Sequence, residues 1–318
     1  MNIRRYREDD LPARVELFNL ESPLPASLSN ARHGEDNIPP ERLLARFVGE
    51  EDGRVMASAS IVGGYFAEPG TFQVGLVVHP DYRGRGHGRA LGDSLERQLA
   101  YLAWKKLLAQ TWADREAALA MLNRRGFAVA HEDLFLRLDL SRYEKPADFS
   151  ERLRRVKLQG IVIRLYAEIN DNDRERRLWR IFEDSEADVP HAVPYRKRDF
   201  EEWKKAFESP SMDRTTYVVA LDGEEFVGVT GLVQPGGKDA PAMPLITGTV
   251  PEYRGWGIAT ALKYAALDLY KKRGVPALVT GNARENAPML AINKKLGFEP
   301  IPSLLSLVKE GQGVLPEA

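Results

Sequence analysis

Hydrophobic and polar positions alternate with two periods along the chain, and the same order of periods occurs in each half. The runs 55–62 and 226–233 are rich in apolar and β-branched residues, and each follows an Asp-Gly pair. Asp-Gly before such a run is typical of a tight turn, so each run is predicted to be the second strand of a hairpin. Further strands are predicted at 72–79 and, from a weaker pattern, at 244–250.

In the segment that follows the strand 72–79 or 244–250, apolar residues recur with the spacing of a helix. A short strand is predicted after each of these helices, at 106–111 and 276–280. Each short strand precedes a second helix that ends at Gly126-Phe127 or Gly297-Phe298. The order strand, glycine-rich turn, helix, strand, helix, strand predicts an α/β layer with a mixed sheet in each half. The apolar residues that give the first of these helices its period are Ala90, Leu91, Leu95, Leu99 and Leu102 in the first half, and Ile258, Leu262, Ala265, Ala266 and Leu269 in the second.

The two halves are copies of one another. Residues 80–88, Pro-Asp-Tyr-Arg-Gly-Arg-Gly-His-Gly, recur 171 residues later at 251–259 as Pro-Glu-Tyr-Arg-Gly-Trp-Gly-Ile-Ala. The Gly-Phe pairs are separated by the same distance, so no net insertion falls between the two motifs. One long segment present twice predicts two domains, whereas a solenoid needs several copies of about 20–50 residues. We call the two halves copy one and copy two.

The domain boundaries follow from this repeat. We predict a first α/β domain at 1–145, a connecting helix within 146–160 and a second α/β domain at 161–318. Asp148 is expected to cap the connecting helix, and Gly160 to end it. One apolar stripe of this helix is formed by Phe149, Leu153 and Val156.

Composition narrows the classes of function. With 43% hydrophobic and 29% charged residues, the chain is typical of a globular protein. A net charge of −1 provides no overall positive field, so neither a nucleic acid nor a membrane is a predicted partner. The sequence has no cysteine, which excludes disulfides and a thiol nucleophile. No stretch reaches about 18 uninterrupted apolar residues, and we expect a cytoplasmic protein.

Both strand-to-helix corners contain a glycine-rich loop. Such a corner directs unpaired backbone N–H groups toward one point, and the positive end of the helix dipole favours an anion there. Glycine also lets a diphosphate approach the backbone closely. The alternative is an ordinary glycine-rich turn, but two complete loops in one register favour phosphate binding. The glycines concerned are Gly84, Gly86, Gly88, Gly255 and Gly257.

The spacing argues against two common nucleotide-binding loops. The dinucleotide fingerprint Gly-x-Gly-x-x-Gly requires a third glycine where this chain has Arg89 and Thr260. The loop of nucleoside triphosphatases ends in Gly-Lys-Ser/Thr, which neither copy contains.

The loops Arg83-x-x-Gly86-x-Gly88 and Arg254-x-x-Gly257-x-Ala259, each followed 40 residues after the central glycine by Gly-Phe, resemble the acetyl-coenzyme A loop of the GNAT superfamily of N-acetyltransferases. In layout the chain is similar to the two-domain acetyltransferases that include mycothiol synthase. The resemblance implies a mixed, mostly antiparallel sheet flanked by helices in each domain, and acetyl-coenzyme A as co-substrate. It also implies that two splayed strands accept the pantetheine arm, and that the backbone before each loop holds the thioester.

From this resemblance we predict the residues that contact the coenzyme. In copy one they are Val77, Val78, His79, Arg83, Gly84, Arg85, Gly86, His87, Gly88 and Arg89. In copy two they are Thr249, Val250, Arg254, Gly255, Trp256, Gly257, Ile258, Ala259, Thr260, Asn286 and Asn293.

The predicted reaction is acyl transfer to an amine. Since the chain lacks cysteine, we expect direct attack by the amine in a ternary complex. Many relatives have a tyrosine acid four residues before the Gly-Phe pair, where this chain has Leu122 and Asn293. Asn293 is predicted to bond to coenzyme or substrate, with a surface amide as the alternative. Glu252 is a candidate base, with an ordinary turn acid as the alternative.

Copy two is the predicted catalytic half. Asn286 resembles the asparagine by which relatives contact the coenzyme arm, and copy one has Arg115 at that position. Copy one has the more basic loop, while copy two offers Arg254 and Lys263. The histidines have no ligand spacing, so no metal site is predicted.

The predicted acceptor is an amine of a small molecule or a peptide, and the sequence does not identify it further. The protein is predicted to be a monomer or a homodimer. The alternative function is a non-catalytic coenzyme-binding or regulatory module.

Overall fold

The computed structural model describes residues 1–38, 43–63, 69–190, 192–193 and 195–311. In the first half of the chain the elements are β1 (Asn2–Arg5), α1 (Leu11–Asn19), α2 (Leu28–Asp36), β2 (Leu43–Glu51), β3 (Arg54–Gly63), β4 (Thr71–Val78), α3 (His87–Leu99), β5 (Lys106–Trp112), α4 (Glu116–Arg124), β6 (Ala128–Asp139) and α5 (Phe149–Leu158). In the second half they are β7 (Ile161–Leu165), α6 (Arg174–Ala187), α7 (Phe200–Phe207), β8 (Val218–Asp222), β9 (Glu225–Val233), β10 (Met243–Thr249), α8 (Ile258–Lys272), β11 (Ala277–Ala283), α9 (Ala287–Lys295), β12 (Glu299–Pro300) and β13 (Leu304–Glu310).

The chain divides into two compact units that each combine helices with β-strands, and the predicted α/β fold class is confirmed. Unit 1 is formed by the described residues of Met1–Leu134, His191–Arg196 and Pro302–Ala318, and unit 2 by Phe135–Pro190 and Lys197–Ile301. This division differs from the predicted boundaries, because backbone pairing assigns the last strand to unit 1 and the end of β6 to unit 2.

In unit 1 the sheet is mostly antiparallel, with one parallel pair. Strands follow the order β1-β2-β3-β4-β5-β13-β6. Within the described residues, β4 and β5 pair in parallel only at 71–73 with 106–108, so the two strands separate toward their carboxyl ends. Strand β13 pairs with β5 from Leu304↔Trp112 to Glu310↔Lys106. The last strand of copy two therefore completes the sheet of unit 1.

In unit 2 the four strands β10-β9-β8-β7 form an antiparallel sheet. Strand β11 pairs instead with β6. In the part of unit 2 that the structure describes, the single bridge between the β10 side and β11 is Ala242↔Leu278. Beyond this bridge β10 and β11 diverge, as β4 and β5 do in unit 1. The strand pairs that the family resemblance predicted to be splayed have this form in both units.

Hydrophobic residues fill each unit separately. In unit 2 the larger core cluster surrounds α8, and it includes Leu262, Tyr264 and Leu267. A second cluster of unit 2 packs α6 and α7 against the sheet through Phe182, Trp203 and neighbouring aromatic rings. None of the helices within the described residues has both the length and the apolar character that crossing a bilayer requires.

The connecting helix forms as predicted, as α5, but one detail of the prediction is wrong. Its stripe of Phe149, Leu153 and Val156 packs into the core cluster around α8, and the chain turns at Gly160 with φ +88°. Asp148 precedes the helix but does not cap it. Among the described contacts its carboxylate accepts from Tyr264 Oη at 2.9 Å and Lys295 Nζ at 2.6 Å. The acid thus fixes the start of α5 to α8 and α9.

Candidate active site

Equivalent elements of the two copies keep the 171-residue offset in the structure. Strand β5 and strand β11 are related by this offset at both ends, as are helices α4 and α9. The same holds for the single-turn helices Pro80–Tyr82 and Pro251–Tyr253 that precede the loops. Residues of the two copies can therefore be compared position by position.

We define the glycine corners as residues 83–88 in copy one and 254–259 in copy two. Each corner has two glycines in the left-handed region: Gly84 and Gly86 at φ +76° and +83°, Gly255 and Gly257 at φ +80° and +84°. Gly86 and Gly257 occupy the N-cap positions of α3 and α8, so no side chain covers the first N–H groups of either helix.

Space is available beside these glycines. A Cβ atom at Gly84, Gly86 or Gly255 would meet no heavy atom of the described residues within 4 Å. At Gly88 a Cβ would lie 3.8 Å from Leu76 and Met121, which is ordinary contact, so this position tolerates the alanine that copy two has there. Both corners thus present bare backbone donors next to open space, as anion binding requires.

The first arginine of each corner is bound to the protein itself. Arg83 Nε donates to the carbonyl of Val78 at 3.0 Å, and Arg254 Nε donates to the carbonyl of Thr249 at 3.3 Å. The guanidinium groups also pair with Glu21 and Asp188, respectively. Both arginines therefore brace the corner against the preceding strand, and a coenzyme contact by either stays a prediction.

The other predicted contact residues of copy one lie around its corner. Arg85 donates to the carbonyl of Asp81 at 2.9 Å, and Arg89 is exposed at the start of α3. His79 Nδ1 accepts from Asp81 N at 3.3 Å. His87 Nε2 is buried, and within the described residues it lacks a hydrogen-bond partner. Val77 pairs with Ser58 in the sheet.

The other predicted contact residues of copy two are mostly apolar or neutral. Trp256 is 39% exposed beside the ring of Tyr253. Ile258 is buried, while Ala259 and Thr260 are half-buried in the first turn of α8. The backbone N–H groups of Val250 and, in copy one, His79 donate to sheet carbonyls at 3.1 and 2.8 Å. These two N–H groups are therefore not available to a thioester.

Strand β10 ends at the corner of copy two with an unsatisfied hydroxyl. Thr249 Oγ1 is buried and makes no hydrogen bond to any residue that the structure describes. A β-bulge between Pro244 and Thr247 shifts the register of β10 against β9 just before this point. Bulges re-aim side chains and occur preferentially next to active sites. Copy one has Val78 at the position of Thr249, and its β3–β4 register is regular.

A buried polar network lies next to the diverging strands of copy two. Asn293 is 0% exposed; its Oδ1 accepts from Lys263 Nζ at 2.8 Å, and its Nδ2 donates to Asn282 Oδ1 at 2.6 Å. Burial lowers the pKa of Lys263 to about 8. The expectation that Lys263 offers charge to the coenzyme is wrong, because its ammonium group lies inside the domain. Asn293 is likewise no surface amide, and its burial favours an indirect role.

Copy one lacks this network, although the equivalent of Asn282 is the polar residue Thr111. Its equivalents of Lys263 and Asn293 are Gly92 and Leu122. The guanidinium group of Arg125 covers Gly92, with its nearest atom 2.7 Å from where a Cβ would be, and pairs with Asp93 and Glu96 on α3.

The carboxylate of Glu21 occupies a central position beside the corner of copy one. It pairs with Arg83 and, at 3.1 Å, with Arg115, while the carbonyl of Glu21 accepts from Trp112 Nε1 at 2.8 Å. These groups connect the corner with the end of β5. Copy two has Asn286 at the position of Arg115, and Asn286 instead caps α9 by accepting from Met289 N at 3.4 Å.

The candidate base of copy two lies at the surface. Glu252 is exposed in the single-turn helix before the corner of copy two. The described residues contain no group of three or more His, Cys, Asp or Glu side chains arranged to hold a metal ion.

Comparison with known proteins identifies the family. Residues 11–127 match the model of the acetyltransferase (GNAT) family, and residues 164–299 match that of an acetyltransferase (GNAT) domain. The chain belongs to the GNAT acetyltransferase family. The resemblance inferred from the two loops is thereby confirmed, and this GNAT protein is an acyltransferase with two tandem domains. Acetyl-coenzyme A is the acyl donor of the family.

Individual relatives span most of this tandem GNAT chain. It is 27% identical over 313 residues to a mycothiol acetyltransferase of Saccharomonospora viridis, covering 93% of this chain and 89% of the relative. A mycothiol acetyltransferase of Brachybacterium faecium is 28% identical over 249 residues, covering 74% and 67%. The tandem GNAT protein from the clavulanic acid biosynthesis pathway superimposes with a TM-score of 0.73 at 20% identity, covering 100% and 99%. At that identity the likeness shows the fold alone.

Proposed function

We propose that this protein transfers an acetyl group from acetyl-coenzyme A to a primary amine of a small molecule or peptide, and that copy two is the catalytic half. The observation that supports this most strongly is the buried, unsatisfied hydroxyl of Thr249, which stands where β10 ends at a bare glycine corner. A buried hydroxyl without a partner costs about 1–3 kcal/mol, so a ligand atom that bonds to it is favoured.

The residues of copy two fit the coenzyme. The backbone around Gly255 and Gly257 would hold the diphosphate, since the N–H groups at the start of α8 are uncovered there. The space between β10 and β11 beyond Ala242↔Leu278 would hold the pantetheine arm. When bound, the coenzyme supplies an acetyl thioester that an amine can attack directly.

The buried network would act by positioning. Because the ammonium group of Lys263 can only donate, it fixes Oδ1 of Asn293 as the acceptor, and Nδ2 of Asn293 must then donate to Asn282. Asn282 is left with its own Nδ2 as a donor on β11, next to the diverging strands. Lys263 and Asn293 are therefore positioning residues in this proposal, and Asn282 is the group of the network that reaches the reaction space.

In this proposal copy one has a structural role and does not catalyse the transfer. Its strand ends in Val78 instead of a threonine, and Glu21 joins Arg83 to Arg115 beside its corner. A coenzyme arm that entered there would have to displace charged side chains that are already paired. This arrangement disfavours copy one as the site of reaction.

The proposal is tested by thiol release. Purified protein is incubated with acetyl-coenzyme A and a panel of amino sugars, amino acids, polyamines and peptide N-termini, and the free thiol is measured with a disulfide reagent. The chain has no cysteine, so the protein adds no background. We expect amine-dependent release with intersecting double-reciprocal plots. Coenzyme binding without turnover across the panel would support the non-catalytic module instead, and parallel plots would contradict direct attack.

A further inference from the structure

The connecting helix α5 places an arginine beside the glycine corner of copy two. Arg152 Nη1 lies 3.4 Å, and its Cδ 3.7 Å, from the position that a Cβ atom would occupy at Gly257. Gly257 is the N-cap residue of α8, next to the uncovered N–H groups. A side chain that is not part of the glycine corner thus lies beside Gly257, where the corner itself has no side chain.

The position of Arg152 is fixed from two directions. Phe149 stacks on Tyr264 of α8 with a ring separation of 5.7 Å, and the apolar stripe of α5 is part of the core of unit 2. Asp148, one turn before Arg152, is held by Tyr264 and Lys295. The helix therefore presents Arg152 from a rigid base.

The charge of Arg152 is only weakly compensated. Its ion-pair contact is a 3.4 Å approach of Nη2 to Asp148 Oδ2. The same carboxylate oxygen accepts from Lys295 at 2.6 Å, and the other accepts from Tyr264. Nη1 lies beside the corner and the side chain is 28% exposed, so an anion at the corner would meet a positive group there.

Copy two needs such a charge more than copy one does. The corner of copy one carries Arg85, and Arg89 follows in the first turn of α3; copy two has Trp256 and Thr260 at these positions. At Gly86, the equivalent of Gly257, no described atom lies within 4 Å of a Cβ position. The arginine from the connecting helix lies beside the loop that lacks the basic residues of copy one.

We propose that Arg152 binds the diphosphate of the coenzyme at the corner of copy two. This assignment rests on the proposed function, since it assumes that copy two holds an acyl carrier. A guanidinium can donate two parallel N–H bonds to phosphate oxygens, which adds to the backbone donors at the start of α8. The connecting helix is then part of the binding site as well as a link between the copies.

The test measures binding of coenzyme A and of 3′-dephospho-coenzyme A by isothermal titration calorimetry. Arg152→Met should weaken the binding of both ligands about 10-fold, as the loss of one charge-assisted contact predicts. Arg152→Lys should fall between that variant and the wild type, because a lysine keeps the charge but not the fork of donors. Arg155→Met is the matched control: Arg155 lies on the same helix, is 60% exposed and pairs with Glu151, so its loss should leave both affinities unchanged.

The outcomes separate this inference from the function on which it rests. A wild-type protein that binds neither ligand would contradict the proposed function itself. A wild type that binds both ligands while Arg152→Met binds them equally well would overturn only the role of Arg152. A loss confined to coenzyme A would assign Arg152 to the 3′-phosphate and contradict the diphosphate contact. Tighter binding by Arg152→Met would show that the arginine obstructs the corner.

Discussion

The two glycine corners have the same backbone and different surroundings. At three equivalent positions copy one has Val78, Gly92 and Leu122, where copy two has Thr249, Lys263 and Asn293. In copy one charged side chains close the region: Glu21 joins two arginines, and Arg125 covers Gly92. In copy two a buried polar network of Lys263, Asn293 and Asn282 lies next to the diverging strands instead.

This difference shows what a duplication can preserve while its copies diverge. A corner that binds anions through N–H groups needs only glycines and a helix start, so it survives many changes nearby. The groups that would position a reaction are side chains, and these differ between the two copies although the backbone of the corner is the same. The predictions below test whether the two copies differ in chemistry as they differ in structure.

The largest expected effect comes from a carboxylate placed in the corner. Gly257→Glu should reduce acetyl transfer by about 100-fold or more, because like charges brought together cost several kcal/mol and each 1.4 kcal/mol is a factor of ten. Gly86→Glu should reduce the rate of acetyl transfer less than about 5-fold if copy one does not catalyse the reaction. Initial rates with a reactive amine measure both variants.

Strain must be separated from charge in that comparison. Gly86 and Gly257 both have φ near +83°, so a side chain adds the same backbone strain at both, although at Gly257 its Cβ would also lie 3.4 Å from Arg152. Gly86→Ala and Gly257→Ala are therefore the matched controls, with thermal unfolding as the check on folding. Comparable losses in the two glutamate variants, or a greater loss for Gly86→Glu, would remove the distinction between the copies.

The next largest effect is expected from changes to the buried network of Lys263 and Asn293. Asn293→Leu introduces the residue of copy one and leaves the Lys263 ammonium group without its acceptor, which should destabilise the protein by about 2–3 kcal/mol. The double change Lys263→Met with Asn293→Leu should regain most of this stability but not the turnover number. Denaturant unfolding and steady-state kinetics measure the two quantities. Full activity of the double variant would assign the network to stability alone.

The same lysine should make stability depend on pH. Burial lowers the pKa of Lys263 to about 8 in the folded protein, whereas in the unfolded chain it is about 10.4. Between these values the unfolded state binds more protons, so the free energy of unfolding should rise with pH, by up to about 3 kcal/mol. Lys263→Met should lack this rise. If the free energy of unfolding changed with pH in the same way in the wild type and in Lys263→Met between pH 8 and 10.5, the burial of the Lys263 ammonium group would be contradicted.

The smallest effect is expected at the start of α5. Lys295, Tyr264 and Arg152 lower the pKa of Asp148 to about 2, so its stabilising contribution is present above pH 4 and is lost as the pH falls toward 2. Asp148→Asn should cost about 1 kcal/mol at neutral pH, as partly exposed ion pairs do. Glu151→Gln, on the exposed side of the same helix, should cost nothing measurable. Equal unfolding free energies for the two variants would deny Asp148 a role in fixing α5.

Most of the fold was predictable because the repeat fixes the equivalence of elements. The loops, both Gly-Phe helix ends and the mixed sheets follow from local patterns of residues. The position of β13 in unit 1 does not, since a strand pattern predicts a strand and not its partner. A non-local pairing of residues 304–310 with 106–112 has no signal in a single sequence.

Less of the candidate site was predictable. The glycine corners are predicted by the spacing of their glycines, and in the structure these glycines have positive φ at the start of a helix, as expected. The burial of Lys263 had one signal, its place within the apolar period of α8 between Leu262 and Ala265, but its partner Asn293 was assigned to the ligand. The sequence predicts Asp148 as a helix cap and indicates no role for Arg152. Their roles depend on how α5 packs against α8, which helical periodicity alone does not specify.

The most direct test of the central claim is an experimental structure of the protein with acetyl-coenzyme A. We predict that the diphosphate lies within hydrogen-bond distance of the backbone N–H groups at the start of α8, with the pantetheine arm between β10 and β11. A copy two without coenzyme, while copy one alone is occupied, would contradict the account.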